Sequence, residues 1–120
     1  MKYIVVIGSL LLAGWWFLGQ QRSQQNNDLN IRSFLNKNPK IVDVRTAQEF
    51  ATGHVAGAIN IPVSEIGHRL TEFGNKSQPI GVYCRSGQRS ERARIELAKA
   101  GFTEVMNLGG LQAVQQQLNK

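Results

Sequence analysis

The chain changes character twice along its length. From Tyr3 to Gly19 it carries no charge and is mostly apolar, with Ile4-Val5-Val6-Ile7, Leu10-Leu11-Leu12 and Trp15-Trp16-Phe17 in close succession. From Gln20 to Asn27 it reads QQRSQQNN, polar and without apolar periodicity. Such a stretch reads as a solvated linker. From Asp28, a possible helix N-cap, a third pattern begins in which short apolar runs alternate with helix-like segments. The expected organisation is therefore a membrane-directed segment at 1–19, a linker at 20–27 and one folded domain at 28–120.

Within the domain, Leu29, Ile31, Phe34 and Leu35 can line one face of a short helix ending before Asn38-Pro39. Ile41–Val44 predicts a strand. Thr46 and Glu49 have the spacing of a capping box that starts a turn of helix, and Gly53 ends it. Ala58–Ile61 predicts a second strand, closed by Pro62. Ser64 can cap a helix with Ile66, Leu70 and Phe73 inside and Gly74 at its end. Pro79–Cys84 predicts a buried strand. Ser90–Ala100 predicts a helix with Ala93, Leu97 and Ala98 inward. Glu104–Leu108 predicts a strand, and Gly109-Gly110 a turn into a last helix, Leu111–Leu118. Short β-rich runs separated by helices predict an α/β fold, a mostly parallel central sheet covered by helices on both faces.

The apolar run at 3–19 is at the lower length limit for a helix that spans a bilayer. A positive start before an apolar run also describes a signal peptide. The small residues are badly placed for cleavage, because Ala13-Gly14 come early and Gly19 has Phe17 two residues before it. Trp15-Trp16 suits an interfacial aromatic anchor. The run contains no cysteine for a lipid anchor. An uncleaved membrane anchor is the leading expectation, with a cleaved signal peptide and a buried helix of the domain as alternatives.

Fourteen Lys and Arg against eight Asp and Glu give a formal charge of +6. The basic residues form no run interleaved with aromatics, so nucleic acid is not expected as a partner. They concentrate only after the cysteine, at Arg85, Arg89, Arg92 and Arg94, which suggests a site for a small anion. The single cysteine excludes an intramolecular disulfide, and no Cys/His spacing suits zinc, so neither metal nor cofactor is expected.

Cys84-Arg85-Ser86-Gly87-Gln88-Arg89-Ser90 joins a predicted buried strand to a predicted helix. Ligands of open α/β sheets bind just beyond the carboxyl ends of strands. A cysteine there faces the N–H groups and positive dipole end of the following helix. Both favour thiolate over thiol, as do Arg85 and Arg89. Ser86, Gly87 and Gln88 let the backbone curl round the sulfur. A thiolate in an anion cradle suits nucleophilic attack on an anionic sulfur donor.

Asp43-Val44-Arg45, Glu49-Phe50, Gly53–Pro62 (GHVAGAINIP), the Cys84 loop and Asn107–Leu111 (NLGGL) occur in an order and spacing that resembles rhodanese-like domains, most of all short bacterial single-domain members with a targeting segment. The resemblance implies a thiosulfate sulfurtransferase. Cys84 would bear a persulfide, and Arg85, Ser86, Gly87, Gln88 and Arg89 would form the loop binding it. Thiosulfate would be the donor, and cyanide, a thiol or a protein the acceptor. Asp43, Arg45, Glu49 and His54 match family positions with mainly structural roles, Arg45 and Glu49 as an ion pair at the surface and His54 as a backbone-bonded turn residue. In a bacterium, 1–19 would hold the protein at the inner membrane, or be cleaved after export, with the domain in the periplasm. Lys2 before the run supports that side, although Arg22, Arg32, Lys37 and Lys40 follow it.

Two other functions fit less of the sequence. Related cysteine phosphatases and arsenate-type enzymes place the loop arginine one residue further on, where this chain has Ser90. The loop is thus about one residue short of enclosing a tetrahedral oxyanion. A rhodanese-like binding or regulatory module without activity would have no need of the cysteine and its cationic loop.

Overall fold

The computed structural model describes residues 2–119, with side-chain environments for 12–23 and 25–119. It divides into two compact units, Met1–Arg32 and Ser33–Lys120. Helix α1 runs over Lys2–Leu35. The stretch expected to be a solvated linker, 20–27, is helical. No Gly or Pro interrupts the chain between Gln20 and Asn38, and Gln and Arg propagate helix well, so lack of an apolar face does not stop the helix. Among the described residues no helix is long and apolar enough to cross a membrane. About half of the apolar run, residues 3–11, lies outside the residues whose side chains are described. Leu12, Trp15, Trp16, Phe17 and Leu18 are exposed, and so is Leu29, expected to face inward.

In the second unit the elements are β1 (Lys40–Asp43), α2 (Ala47–Thr52), β2 (Ile59–Asn60), the 3-10 turns Val63–His68 and Leu70–Phe73, β3 (Ile80–Cys84), α3 (Gln88–Lys99), β4 (Val105–Gly110) and α4 (Leu111–Leu118). The four strands lie in the order β2-β1-β3-β4 and every pairing is parallel. The α/β prediction is met. The predicted helix after Pro62 is instead two 3-10 turns, and Ser64 caps neither. Ile66 and Phe73 are still buried.

All five residues of β3 are buried, because β3 is central and covered on both sides. Its residues alternate. Ile80, Val82 and Cys84 join a core with Val42, Val44, Ile61, Ile66, Phe73, Ala93, Leu97 and Phe102. Gly81 points the other way, where a Cβ would lie 2.6 Å from the Leu108 side chain. Helix α3 closes the first face with Ser90, Ala93 and Leu97, while Ala98 is exposed, contrary to expectation. Position 98 falls off the stripe that the 90-93-97 spacing defines.

The register of β3 with β4 pairs Val82 with Asn107 but Tyr83 with Gly109 and Cys84 with Gly110. This bulge skips Leu108 and extends the strand through both glycines, where the sequence predicted a turn. Gly109 has φ +88°, which glycine tolerates, and Gly110 lies against the segment that follows Cys84.

Candidate active site around Cys84

Cys84 ends the central strand and is 1% exposed. The chain bends through 85–87 and enters α3 at Gln88. Gly87 holds the N-cap position with φ 97°, in the left-handed region. The Gly87 N–H donates to Cys84 Sγ at 3.0 Å. The sulfur thus occupies the place of a capping side chain at the positive end of α3. Burial pushes the Cys84 thiol up. The Ser90 hydroxyl and the backbone groups of Ser90, Ser86 and Gly87 push it down by more, so the thiol lies below its usual pKa. Of the amides expected to cradle the sulfur, that of Gly87 lies at hydrogen-bond distance from it. Gln88 is exposed.

Two side chains that sequence reasoning did not single out complete the cradle. Ser90 is fully buried on α3, with Oγ 3.4 Å from Sγ. Asn107, on β4, accepts from Ser90 Oγ at 2.7 Å and donates to the Gly87 carbonyl at 3.0 Å. Each carried a signal: Ser90 is a polar residue on the stripe it shares with Ala93 and Leu97, and Asn107 interrupts an apolar strand.

The arginines are arranged differently from the sequence expectation. Arg45 does not pair with Glu49. It forms a buried two-pronged pair with Asp43, at 3.0 and 2.6 Å, and donates to the Gly53 carbonyl at 2.7 Å. Asp43 is fully buried and two residues before Arg45, so a fork across the strand end is the nearest way to satisfy its charge. Glu49 instead receives Arg89, at 2.6 and 2.9 Å. That pairing holds the Glu49 carboxyl down at about 2, and the Thr46 bonds of the predicted capping box add to it. Arg89 therefore spends its fork on a carboxylate and does not point a free charge at the sulfur. Arg85 is exposed and forms no ion pair among the described residues. Together with Arg45, Glu49, Thr52, Leu111 and Gln112 it lines a cleft of about 510 Å³.

His54 bonds backbone as expected: its Nδ1 lies 2.9 Å from the Phe50 carbonyl, and its ring stacks on Phe50 with centroids 3.6 Å apart. Among the described residues no group of three His, Cys, Asp or Glu side chains could hold a metal ion.

A thiol at a strand end, held by amides and backed by an all-parallel α/β sheet, can be compared with known proteins. The model of the rhodanese-like domain matches residues 29–117. The chain belongs to the rhodanese-like family. It is 39% identical over 74 residues to thiosulfate sulfurtransferase PspE of Escherichia coli, a match covering 61% of this chain and 71% of that protein. Among solved structures, an E. coli rhodanese with anions superposes with a TM-score of 0.60 at 37% identity, covering 62% of this chain and 89% of that one. The human single-domain sulfurtransferase TSTD1 superposes with a TM-score of 0.61 at 28% identity, covering 76% and 91%. Family membership and these relatives support sulfur transfer as the general chemistry.

Proposed function

We propose that this rhodanese-like protein is a thiosulfate sulfurtransferase with Cys84 as its nucleophile. The Cys84 thiolate attacks the outer sulfur of thiosulfate. The donor's S–S bond breaks, its electron pair leaves with sulfite, and the sulfur stays on Cys84 as a persulfide. Cyanide or a thiol then attacks the outer sulfur, forming thiocyanate or a new persulfide, and the Cys84 thiolate is regenerated. The loop amides from Ser86 to Arg89 would hold the persulfide, and Arg85 would attract the donor's charge. The observation that carries this reading is the Gly87 N–H at 3.0 Å from a buried sulfur whose thiol is lowered in pKa. Intact-mass measurement after exposure to thiosulfate should find one added sulfur atom on Cys84. Cys84→Ser should neither gain that sulfur nor turn over thiosulfate and cyanide. An unmodified, inactive wild type would favour a non-catalytic binding module, and turnover by Cys84→Ser would exclude this nucleophile.

The same proposal puts residues 1–19 in a membrane, with the domain on the periplasmic side. Trp15, Trp16, Phe17 and Leu18 are consecutive and all exposed. At about 100° per residue they cover every side of a helix, a pattern that suits lipid better than a one-sided core. The protein should sediment with membranes, resist alkaline extraction and keep its first residues. A soluble protein with an intact N-terminus would refute the anchor.

A further inference from the structure

Asn107 stands on β4, outside the Cys84 loop, yet it makes four hydrogen bonds around that loop. Oδ1 accepts from the Gly109 N–H at 2.9 Å and from Ser90 Oγ at 2.7 Å. Nδ2 donates to the Gly87 carbonyl at 3.0 Å and to Glu91 Oε2 at 3.3 Å. These partners fix which way the amide faces. Turned over, it would set Nδ2 against the Gly109 N–H and Oδ1 against the Gly87 carbonyl, donor to donor and acceptor to acceptor. Resting on the sulfur-transfer reading, we propose that Asn107 is a positioning residue for Cys84: by bonding the Gly87 carbonyl it holds in place, from the helix side, the residue whose N–H meets Sγ, and it leaves the Ser90 hydroxyl free to turn to the sulfur when the thiol proton departs.

Ser90 has one hydroxyl proton to place. Ser90 Oγ has three neighbours that can accept it: Asn107 Oδ1, the Gly87 carbonyl at 3.1 Å and Cys84 Sγ at 3.4 Å. With Cys84 protonated, the thiol can donate to Ser90 Oγ while Ser90 donates to Asn107. With Cys84 ionised, Ser90 turns its proton to Sγ. Nothing is stranded by that turn. Asn107 Oδ1 keeps the Gly109 N–H, and the Gly87 carbonyl keeps Asn107 Nδ2 and the Glu91 N–H at 3.1 Å. A buried polar group left without a partner would oppose ionisation, and this network avoids one.

The test reads the thiol directly, with no sulfur donor, so it stands apart from the question of turnover. The alkylation rate of Cys84 by iodoacetamide is followed against pH in the full chain, for wild type, Asn107→Ala, Asn107→Leu and Ser90→Ala. The charged groups nearby are Arg85, Arg89 with Glu49, and Glu91 with Arg94, and none is changed. Asn107→Ala should raise the midpoint by about one pH unit and cut the thiolate fraction near neutrality about five- to tenfold. Asn107→Leu fills a similar volume with neither donor nor acceptor and adds no charge, and should shift the midpoint the same way even if the alanine variant folds poorly. Ser90→Ala should raise it too, and Asn107→Ala should add less than its full effect in that background. A variant at 107 that loses thermal stability but keeps the wild-type midpoint would make Asn107 merely structural and overturn the proposal.

Discussion

Adjacent glycines at the end of β4 carry two different constraints, and alanine at each separates them. At Gly110 an added Cβ would lie 2.4 Å from the Arg85 carbonyl oxygen and 3.2 Å from its carbon. Even close C–H···O contacts keep about 3.3 Å between carbon and oxygen, so the shortfall is close to an ångström. The obstruction is backbone and cannot rotate away. Gly110 itself has φ −90°, a conformation any residue adopts, so the whole cost is the collision. At Gly109 the position is reversed. A Cβ there would meet nothing within 4 Å, but φ is +88°. Gly109→Ala should therefore cost about 1–2 kcal/mol of strain and leave the loop in place. Gly110→Ala should cost about 1–3 kcal/mol or more and push the 85–86 backbone away from the sheet. Urea unfolding midpoints should fall in both variants. Cys84 alkylation should slow only in Gly110→Ala, because only there does the segment between Cys84 and the Gly87 N–H move. Wild-type stability and alkylation in Gly110→Ala would refute the close approach of β4 to this loop. Loss of reactivity confined to Gly109→Ala would refute the separation of the two constraints.

Three further predictions concern charge. Glu49 falls from its ordinary 4.5 to about 2 in the folded protein, chiefly through Arg89. Its contribution to stability is thus complete above about pH 4.5 and lost as pH falls through about 2. In thermal melts Glu49→Gln should be less stable than wild type at neutral pH, with the gap closing near pH 2; a gap that persists unchanged there would contradict the pairing. In thiosulfate kinetics, Arg85→Ala should raise KM, with an effect that fades at high salt. Arg89→Ala should also impair turnover, but by uncovering Glu49, so adding Glu49→Gln should restore much of the loss; an unrepaired double variant would return Arg89 to a direct role with the donor.

The sheet was legible because a buried parallel strand leaves a plain mark. PIGVYC has no charged side chain to place, and β3 is buried along its whole length. The capping box of Thr46 and Glu49 was legible because its partners are three residues apart. Cys84 stood out through its place between a strand and a helix. What failed depended on separation in the chain. Arg89 finds Glu49 across forty residues, and Asn107 finds Gly87 across twenty. No local spacing predicts either. The Arg45–Glu49 pairing failed for a different reason: the nearer claim of buried Asp43 depends on how deeply the strand end is covered, which becomes visible only once the sheet is formed. The 3-10 turns after Pro62 keep the apolar positions of a helix, so burial of Ile66 and Phe73 was predictable while the winding was not.

The pairing of Arg89 alters how ionisation of Cys84 has to be explained. A guanidinium satisfied by a carboxylate contributes little net field, and Arg85, which forms no ion pair among the described residues, is exposed to water that screens it. Burial alone would keep the thiol protonated. The stabilisation must come mainly from neutral dipoles at hydrogen-bond range: the Gly87 N–H, the Ser90 hydroxyl and the start of α3. Such dipoles act over a short distance and in a fixed direction. They suit a charge held on one sulfur atom, or on a second sulfur one bond further out. They suit a tetrahedral oxyanion less well, because its charge is spread over oxygens that point several ways and a loop of this length has too few N–H groups to meet them. On the proposed chemistry the two halves of thiosulfate are then served separately. The amides would take the sulfur that stays, and Arg85, which lines the cleft and forms no ion pair among the described residues, would draw the oxygens that leave with sulfite.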